Sequence, residues 1–375
     1  MIFPWFSAPW SEIVGLRERM PHALLIHGQA GIGKLEFATE VARSLLCETL
    51  ASGSPRPSRA DGEQPQVSCG TCEACIWFDH GNHPDFRMVR PDALDTAADE
   101  ALDERSSEAE SSSADGASRA ARAPSKEIRI DQIRALQAFL GVGTHRGGHR
   151  VVLLYPLQAL NVMAANALLK MLEEPPPQTV FLLVADGLGG IAPTILSRCR
   201  KLPLRAPSAD TAAAWLTMQG IENAERLLAE QGGAPLAARA ASQDADASRT
   251  REAFVTQLAG LTSENALANA LTIAETFGRD SLEAMLGWMQ QWIADCASYR
   301  LAGRIRYHPT RSGEIAAVSQ RAQPEALLRF SRKLDDARRH IDHPLNARLV
   351  LESLLLAYAD VVAQPAALSN PPTLR

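Results

Sequence analysis

Two groups of residues in this chain have types and spacing suited to chemistry. Gly28-Gln29-Ala30-Gly31-Ile32-Gly33-Lys34 fits the phosphate-loop pattern G-x-x-x-x-G-K, but Leu35 stands where that pattern requires Ser or Thr. Gly28, Gly31 and Gly33 let main-chain N–H groups close around phosphate oxygens, and Lys34 would reach the β and γ phosphates. The missing hydroxyl is the one that holds Mg2+ in such sites. A second departure lies downstream, where Val151-Val152-Leu153-Leu154 runs into Tyr155-Pro156 rather than into a metal-orienting Asp. A cradle without either protein contact to the metal is expected to bind ATP weakly or not at all, and to hydrolyse none.

The second group is Cys47, Cys69, Cys72 and Cys75, four of the six cysteines of the chain. Cys69-Gly70-Thr71-Cys72-Glu73-Ala74-Cys75 is two overlapping C-x-x-C units, with Cys47 at the end of a preceding helix. Tetrahedral Zn2+ takes four soft ligands at about 2.3 Å, and C-x-x-C lets one turn supply two of them. Disulfides are rare in a reducing compartment, so a zinc knuckle over 47–83 is expected. With four thiolates it would have no open position for water, and its role would be structural. His80 and His83 lie close enough to replace one thiolate, but read as loop residues. Cys199 and Cys296 read as buried packing residues.

These groups need elements to position them. Ala23–His27 is a continuous apolar run, as in a buried parallel strand. The glycine loop follows it, and 34–46 reads as a helix, the context in which a phosphate-loop match is credible. Strands are expected at 85–89, 150–155 and 179–185. A helix capped by Asp131 carries Ile133, Leu136 and Leu140 to Gly141, and a second, capped by Asn161, ends at Glu173-Glu174-Pro175. Alternation of strand and helix implies a doubly wound parallel α/β sheet. Residues 92–126 are rich in Ala, Ser, Asp and Glu with Leu94 and Leu102 as their large apolar groups, and read as a disordered insertion. After Pro207 only helical patterns remain. The Gln243–Arg249 stretch reads as a linker, and 365–375 as a frayed end.

At 375 residues the chain fits two or three domains, here 1–206, 207–245 and 246–375. A hydrophobic content of 46% supports sizeable cores, and a net charge of −5 argues against a protein that clamps duplex DNA alone. No run of eighteen apolar residues occurs, and Met1-Ile2-Phe3-Pro4-Trp5 does not open a signal peptide, so a cytoplasmic protein away from membranes is expected.

Several segments together resemble the bacterial sliding-clamp loaders of the AAA+ type. They are Ala23-Leu24-Leu25-Ile26-His27-Gly28 with its loop, the four cysteines, Asn166-Ala167-Leu168-Leu169-Lys170-Met171-Leu172-Glu173-Glu174-Pro175-Pro176, Leu196-Ser197-Arg198-Cys199-Arg200, and Pro344-Leu345-Asn346-Ala347-Arg348-Leu349-Val350-Leu351-Glu352. They occur in the family's order and span nearly the whole chain. The resemblance implies an α/β phosphate-loop domain, a small helical lid and an all-α collar that joins subunits into a hetero-oligomeric ring. It implies that Arg198 reaches ATP on a neighbouring subunit, where a permanently charged guanidinium stabilises charge on the γ-phosphate. The family's hydrolysing members carry an arginine after a glycine-serine pair in the lid. Here Gly232-Gly233-Ala234-Pro235-Leu236 has none before Arg239. The implied role is a non-hydrolysing scaffold whose partners are gamma/tau and delta subunits, and through them the sliding clamp and primer-template DNA of a replicative polymerase.

Two other functions are weighed beside it. An active gamma- or tau-type ATPase requires a hydroxyl at 35 and an acid near 155. A stand-alone zinc-knuckle nucleic-acid binder would have to offset the acidic balance. The basic, aromatic-interleaved Tyr299, Arg300, Arg304, Arg306, Tyr307, His308 and Arg311 could face DNA, but read better as a solvated face or a subunit contact.

Overall fold

The computed structural model describes residues 2–51, 67–94, 125–261, 266–277, 281–341 and 346–363. Most of the insertion expected at 92–126 lies outside the described residues, as does the frayed end expected at 365–375. The chain divides into two compact units, Met1–Ala206 and Pro207–Arg375.

In the first unit, α1 (Ser7–Leu16) precedes β1 (Ala23–His27), and α2 (Lys34–Leu46) follows the glycine loop. Then come α3 (Glu48–Ala51), α4 (Glu73–Asp79), β2 (Phe86–Val89), α5 (Ile130–Gly141), β3 (Arg150–Leu154), α6 (Val162–Glu173), β4 (Thr179–Ala185), α7 (Pro193–Leu196) and β5 (Arg200–Pro203). The strands form one parallel sheet in the order β2-β3-β4-β1-β5. Adjacent β1 and β4 send their connections to opposite edges, so a crevice opens at their carboxyl ends, the usual place for a ligand in such sheets. Their register pairs His27 with Ala185, which brings Gly28 and Asp186 off the sheet side by side.

Both sheet faces are covered, which explains the continuous apolar strands. Ala23, Leu25, Val152, Leu154, Phe181 and Leu183 share a core with Ile133, Leu136 and Leu140 of α5 and Leu168 and Leu172 of α6. The alternate residues Leu24, Ile26, Val151, Leu153 and Leu182 are equally buried, and α2 packs against β1, β3 and β4. Phe37 of α2 meets Phe6 and Trp10 of the amino-terminal segment edge to face.

Asn161 caps α6 as expected, its Oδ1 accepting from the Ala164 amide at 2.9 Å. Helix α5 differs from expectation, because it begins at Ile130 and places Asp131 inside the first turn. Its start is fixed by Gln132, whose Oε1 accepts from the Arg129 amide at 2.9 Å.

The second unit is helical, with α8 (Ala209–Met218), α9 (Ala224–Glu230), α10 (Pro235–Gln243), α11 (Ala245–Ala259), α12 (Ala266–Phe277), α13 (Leu282–Ala302), α14 (Ser312–Arg321), α15 (Pro324–Arg339) and α16 (Ala347–Ala363). Helices α8 to α10 pack together through residues such as Ala212, Leu216, Leu228 and Ala238. A larger core joins α11 to α16 around Phe254, Met289, Trp292, Phe330, Leu355 and Tyr358. The linker expected at 243–249 is instead a helix junction. Asp244 Oδ1 caps α11 by accepting from the Ala247 amide at 2.8 Å, and Ser248 donates to Ala241 O. Alanine favours helix, and Asp and Ser at its start are capping residues as readily as linker residues.

Candidate functional site

The glycine loop keeps its backbone form. Gly31 and Gly33 have φ of 74° and 98°, a region that favours glycine, and no side chain caps the amino terminus of α2. Such an uncapped helix end carries open N–H donors and positive potential. Gly28 is required sterically, because a Cβ there would stand 2.1 Å from Leu204 O. The Trp5 indole donates to Ile32 O at 3.0 Å, holding the amino-terminal segment against the loop.

Lys34 is not held out toward a ligand. Its side chain is 3% exposed, and Nζ lies 2.6 Å from Gln29 O and 2.7 Å from Asp186 Oδ1. Asp186 is itself positioned, since Gln158 accepts from its amide at 3.4 Å and donates to Gly187 O at 3.0 Å. Tyr155 occupies the strand end where an acid was sought. Its hydroxyl is pushed above the usual range by burial first, then by the charges of Asp186 and Glu36. Asp186 was missed in the sequence. The available signal was an acidic residue directly after the apolar run 179–185.

The four cysteines converge. Cys47 follows the end of α2, Cys69 lies in the next described loop, and Cys72 and Cys75 flank the start of α4. Their sulfur atoms all lie within 4.8 Å of one another, with Cys69 Sγ 3.8 Å from Cys75 Sγ. The amides of Thr71 and Cys72 donate to Cys69 Sγ at 3.5 and 3.3 Å, and the Cys69 amide donates to Cys47 Sγ at 3.4 Å. Burial pushes the Cys47 and Cys75 thiols up. Burial acts the same way on Cys69, but the Thr49 hydroxyl and the Thr71 and Cys72 amides outweigh it and hold that thiol at about 5. N–H groups aimed at sulfur favour thiolate, the form that ligates metal, so this set could hold a metal ion. His83 is not among the converging groups. It is buried, its Nδ1 accepts from the Asp85 amide at 3.1 Å, and burial lowers its pKa.

Arg198 lies between α7 and the edge strand β5. Its side chain is 35% exposed, with Nη2 2.7 Å from Glu173 Oε1 at the end of α6 and Nη1 2.9 Å from Thr194 O. The neighbouring Cys199 thiol is pushed up to about 11 by burial, and that of Cys296 to about 12, as for inert packing residues.

The basic stretch of the second unit is turned inward only in part, with His308 as its buried member. Asp295 of α13 is buried and accepts from the amides of Arg306, Tyr307 and His308 at 2.8, 3.0 and 2.8 Å. It also lies 2.9 Å from His308 Nδ1. Arg306 donates to Gly232 O, and Arg311 pairs with Glu252 and Glu314. Arg300, Arg304 and Arg306 remain exposed. Arg239, the nearest arginine after the lid glycines, lies over the Trp215 ring at 5.5 Å.

Comparison with known proteins adds an independent line. Residues 15–208 match the family described as DNA polymerase III, delta subunit, and residues 245–360 match DNA polymerase III, delta subunit, C terminal. The chain is similar to DNA polymerase III subunit delta' of Pseudomonas aeruginosa, with 32% identity over 96% of this chain and 98% of that protein. It is 27% identical to the Yersinia pestis subunit delta', covering 95% of each. It is also similar to DNA polymerase III subunit tau of Escherichia coli, at 28% identity over 60% of this chain and 27% of that protein.

Proposed function

The chain belongs to the DNA polymerase III delta' family, and on that premise we propose that it is a non-hydrolysing clamp-loader subunit that lends Arg198 to an ATP site on its neighbour. The observation that carries this reading is the contrast between two cations. Lys34 is buried and paired with Asp186 from the end of β4, whereas Arg198 is 35% exposed with Glu173 as its carboxylate partner and Thr194 O and Ser197 Oγ beside it. A guanidinium is always charged and forms bidentate contacts, so a γ-phosphate on the adjacent subunit competes well with Glu173. Such a finger is worth about 10³–10⁵ in turnover and makes hydrolysis depend on assembly. Chemistry then takes place on gamma or tau subunits, with delta in the same ring. The whole complex loads the sliding clamp on primed DNA in the cytoplasm.

In this reading α8 to α10 form the lid and α11 to α16 the collar. The thiol cluster holds structural Zn2+. A tetrahedron with metal–sulfur bonds of about 2.3 Å has edges of about 3.8 Å, and the Cys69–Cys75 separation is 3.8 Å. Cys47, Cys69, Cys72 and Cys75 would be its ligands, and it would contribute folding free energy rather than catalysis. Among the described residues no helix is long and apolar enough to cross a membrane.

An active ATPase is disfavoured by Leu35, by Tyr155 at the strand end and by the Lys34–Asp186 pair. The test is reconstitution with gamma/tau and delta subunits. Arg198→Ala is expected to leave assembly intact while lowering DNA- and clamp-stimulated ATP hydrolysis at least about a hundredfold. Unchanged turnover removes Arg198 from this role, and phosphate release by the isolated chain that vanishes in Lys34→Ala would defeat the scaffold reading.

A further inference from the structure

We propose that the glycine loop is a triphosphate-binding site held closed by an internal anion, the Asp186 carboxylate standing on Lys34 where a nucleotide phosphate would stand. This inference concerns a different site from Arg198 and does not rest on the role of that residue.

Four observations converge on it. The loop has kept the form that phosphate needs, with Gly31 and Gly33 at positive φ and an uncapped helix end behind them. The three N–H donors of an ammonium group are its means of gripping phosphate, and two oxygens, Gln29 O at 2.6 Å and Asp186 Oδ1 at 2.7 Å, already take up Nζ. The carboxylate is not a stray surface group. The β1–β4 register sets its backbone beside Gly28, and Gln158 binds that backbone on both sides. Finally, Lys34 is 3% exposed but Asp186 is 38% exposed, so the anion is the outer member of the pair and the one a phosphate would have to displace. An incoming triphosphate meets repulsion from Asp186 and a lysine whose charge is already balanced. The weak or absent ATP binding expected from the sequence is therefore assigned to Asp186 at the end of β4 as well as to the missing metal contacts.

The ligand class is a nucleoside triphosphate, recognised through its phosphates and without Mg2+. The experiment uses the full chain, with fluorescent N-methylanthraniloyl-ATP in EDTA followed by anisotropy, and inorganic tripolyphosphate as competitor. Asp186→Asn removes the charge and keeps the shape; Asp186→Ser is carried in parallel in case the first variant folds poorly. At least one is expected to bind the probe about tenfold tighter than the unaltered chain, the order of one charge-assisted hydrogen bond. Tripolyphosphate should displace it, and Lys34→Ala in the same background should abolish the gain. The proposal is overturned if both variants bind within about threefold of the unaltered chain, or if the gain survives Lys34→Ala. Arg198→Ala should leave these affinities unchanged, so this result and the reconstitution assay succeed or fail separately.

Discussion

Asp295→Ala removes the one acceptor on which the 306–308 turn closes. The carboxylate is fully buried and serves three main-chain amides and the His308 imidazole at 2.8 to 3.0 Å. A buried donor left without an acceptor costs about 1–3 kcal/mol, and the Tyr307 amide, the His308 amide and the His308 ring all lean on this one carboxylate. Arg306 is exposed and water can rescue its amide, so the expected loss is about 3–5 kcal/mol rather than the full sum over every donor. For a unit of this size that lowers the melting temperature by roughly 10 °C. Asp295→Asn keeps one acceptor oxygen and should fall between, near 1–2 kcal/mol. Native-state hydrogen exchange along α13 reads this locally, without interference from the first unit. Burial alone would raise the Asp295 carboxyl, but His308 and the turn amides outweigh it and hold it below its ordinary value. Its stabilisation is therefore complete above the unfolded carboxylate pKa of about 4 and is lost as pH falls through the lower folded value. The unaltered chain should lose more stability between pH 5 and 3 than Asp295→Ala does. A loss below about 1 kcal/mol in Asp295→Ala would refute the claim that this carboxylate closes the turn.

Arg198→Ala and Glu173→Gln should each change stability by less than about 1 kcal/mol, because their pair is half exposed; a melting shift well beyond that would mark Arg198 as structural. Cys72→Ser should lower bound zinc from about one per chain and destabilise the first unit; metal analysis of the unaltered protein that finds no zinc would sink the assignment. Gly28→Ala should cost about 1–3 kcal/mol or more, since its Cβ would meet the main-chain oxygen of Leu204, and denaturant unfolding reads the difference.

What could be read in advance was local. The strand, glycine loop and α2 are consecutive, so their apolar run and loop chemistry declare them together. Cys69, Cys72 and Cys75 sit within seven residues. What could not be read depends on sheet order and helix packing. Asp186 meets Lys34 only because β4 neighbours β1, a fact that no short window contains. Glu252 and Asp295, which absorb Arg311 and His308, lie on other helices, so the stretch at 299–311 looked more available than it is. The 243–249 stretch misled for a different reason. Ser, Asp and Ala serve a cap and a linker equally, and Asp244 is a cap.

Helix α2 begins at Lys34 and is followed at its far end by Cys47. Thirteen residues make a rod about 20 Å long. One tip ends at the four-thiol cluster, and the helix packs against β1, β3 and β4. On the proposed zinc assignment, removing the metal would free that end, and a stiff rod transmits a tilt instead of absorbing it. The phosphate cradle at the other tip should then loosen.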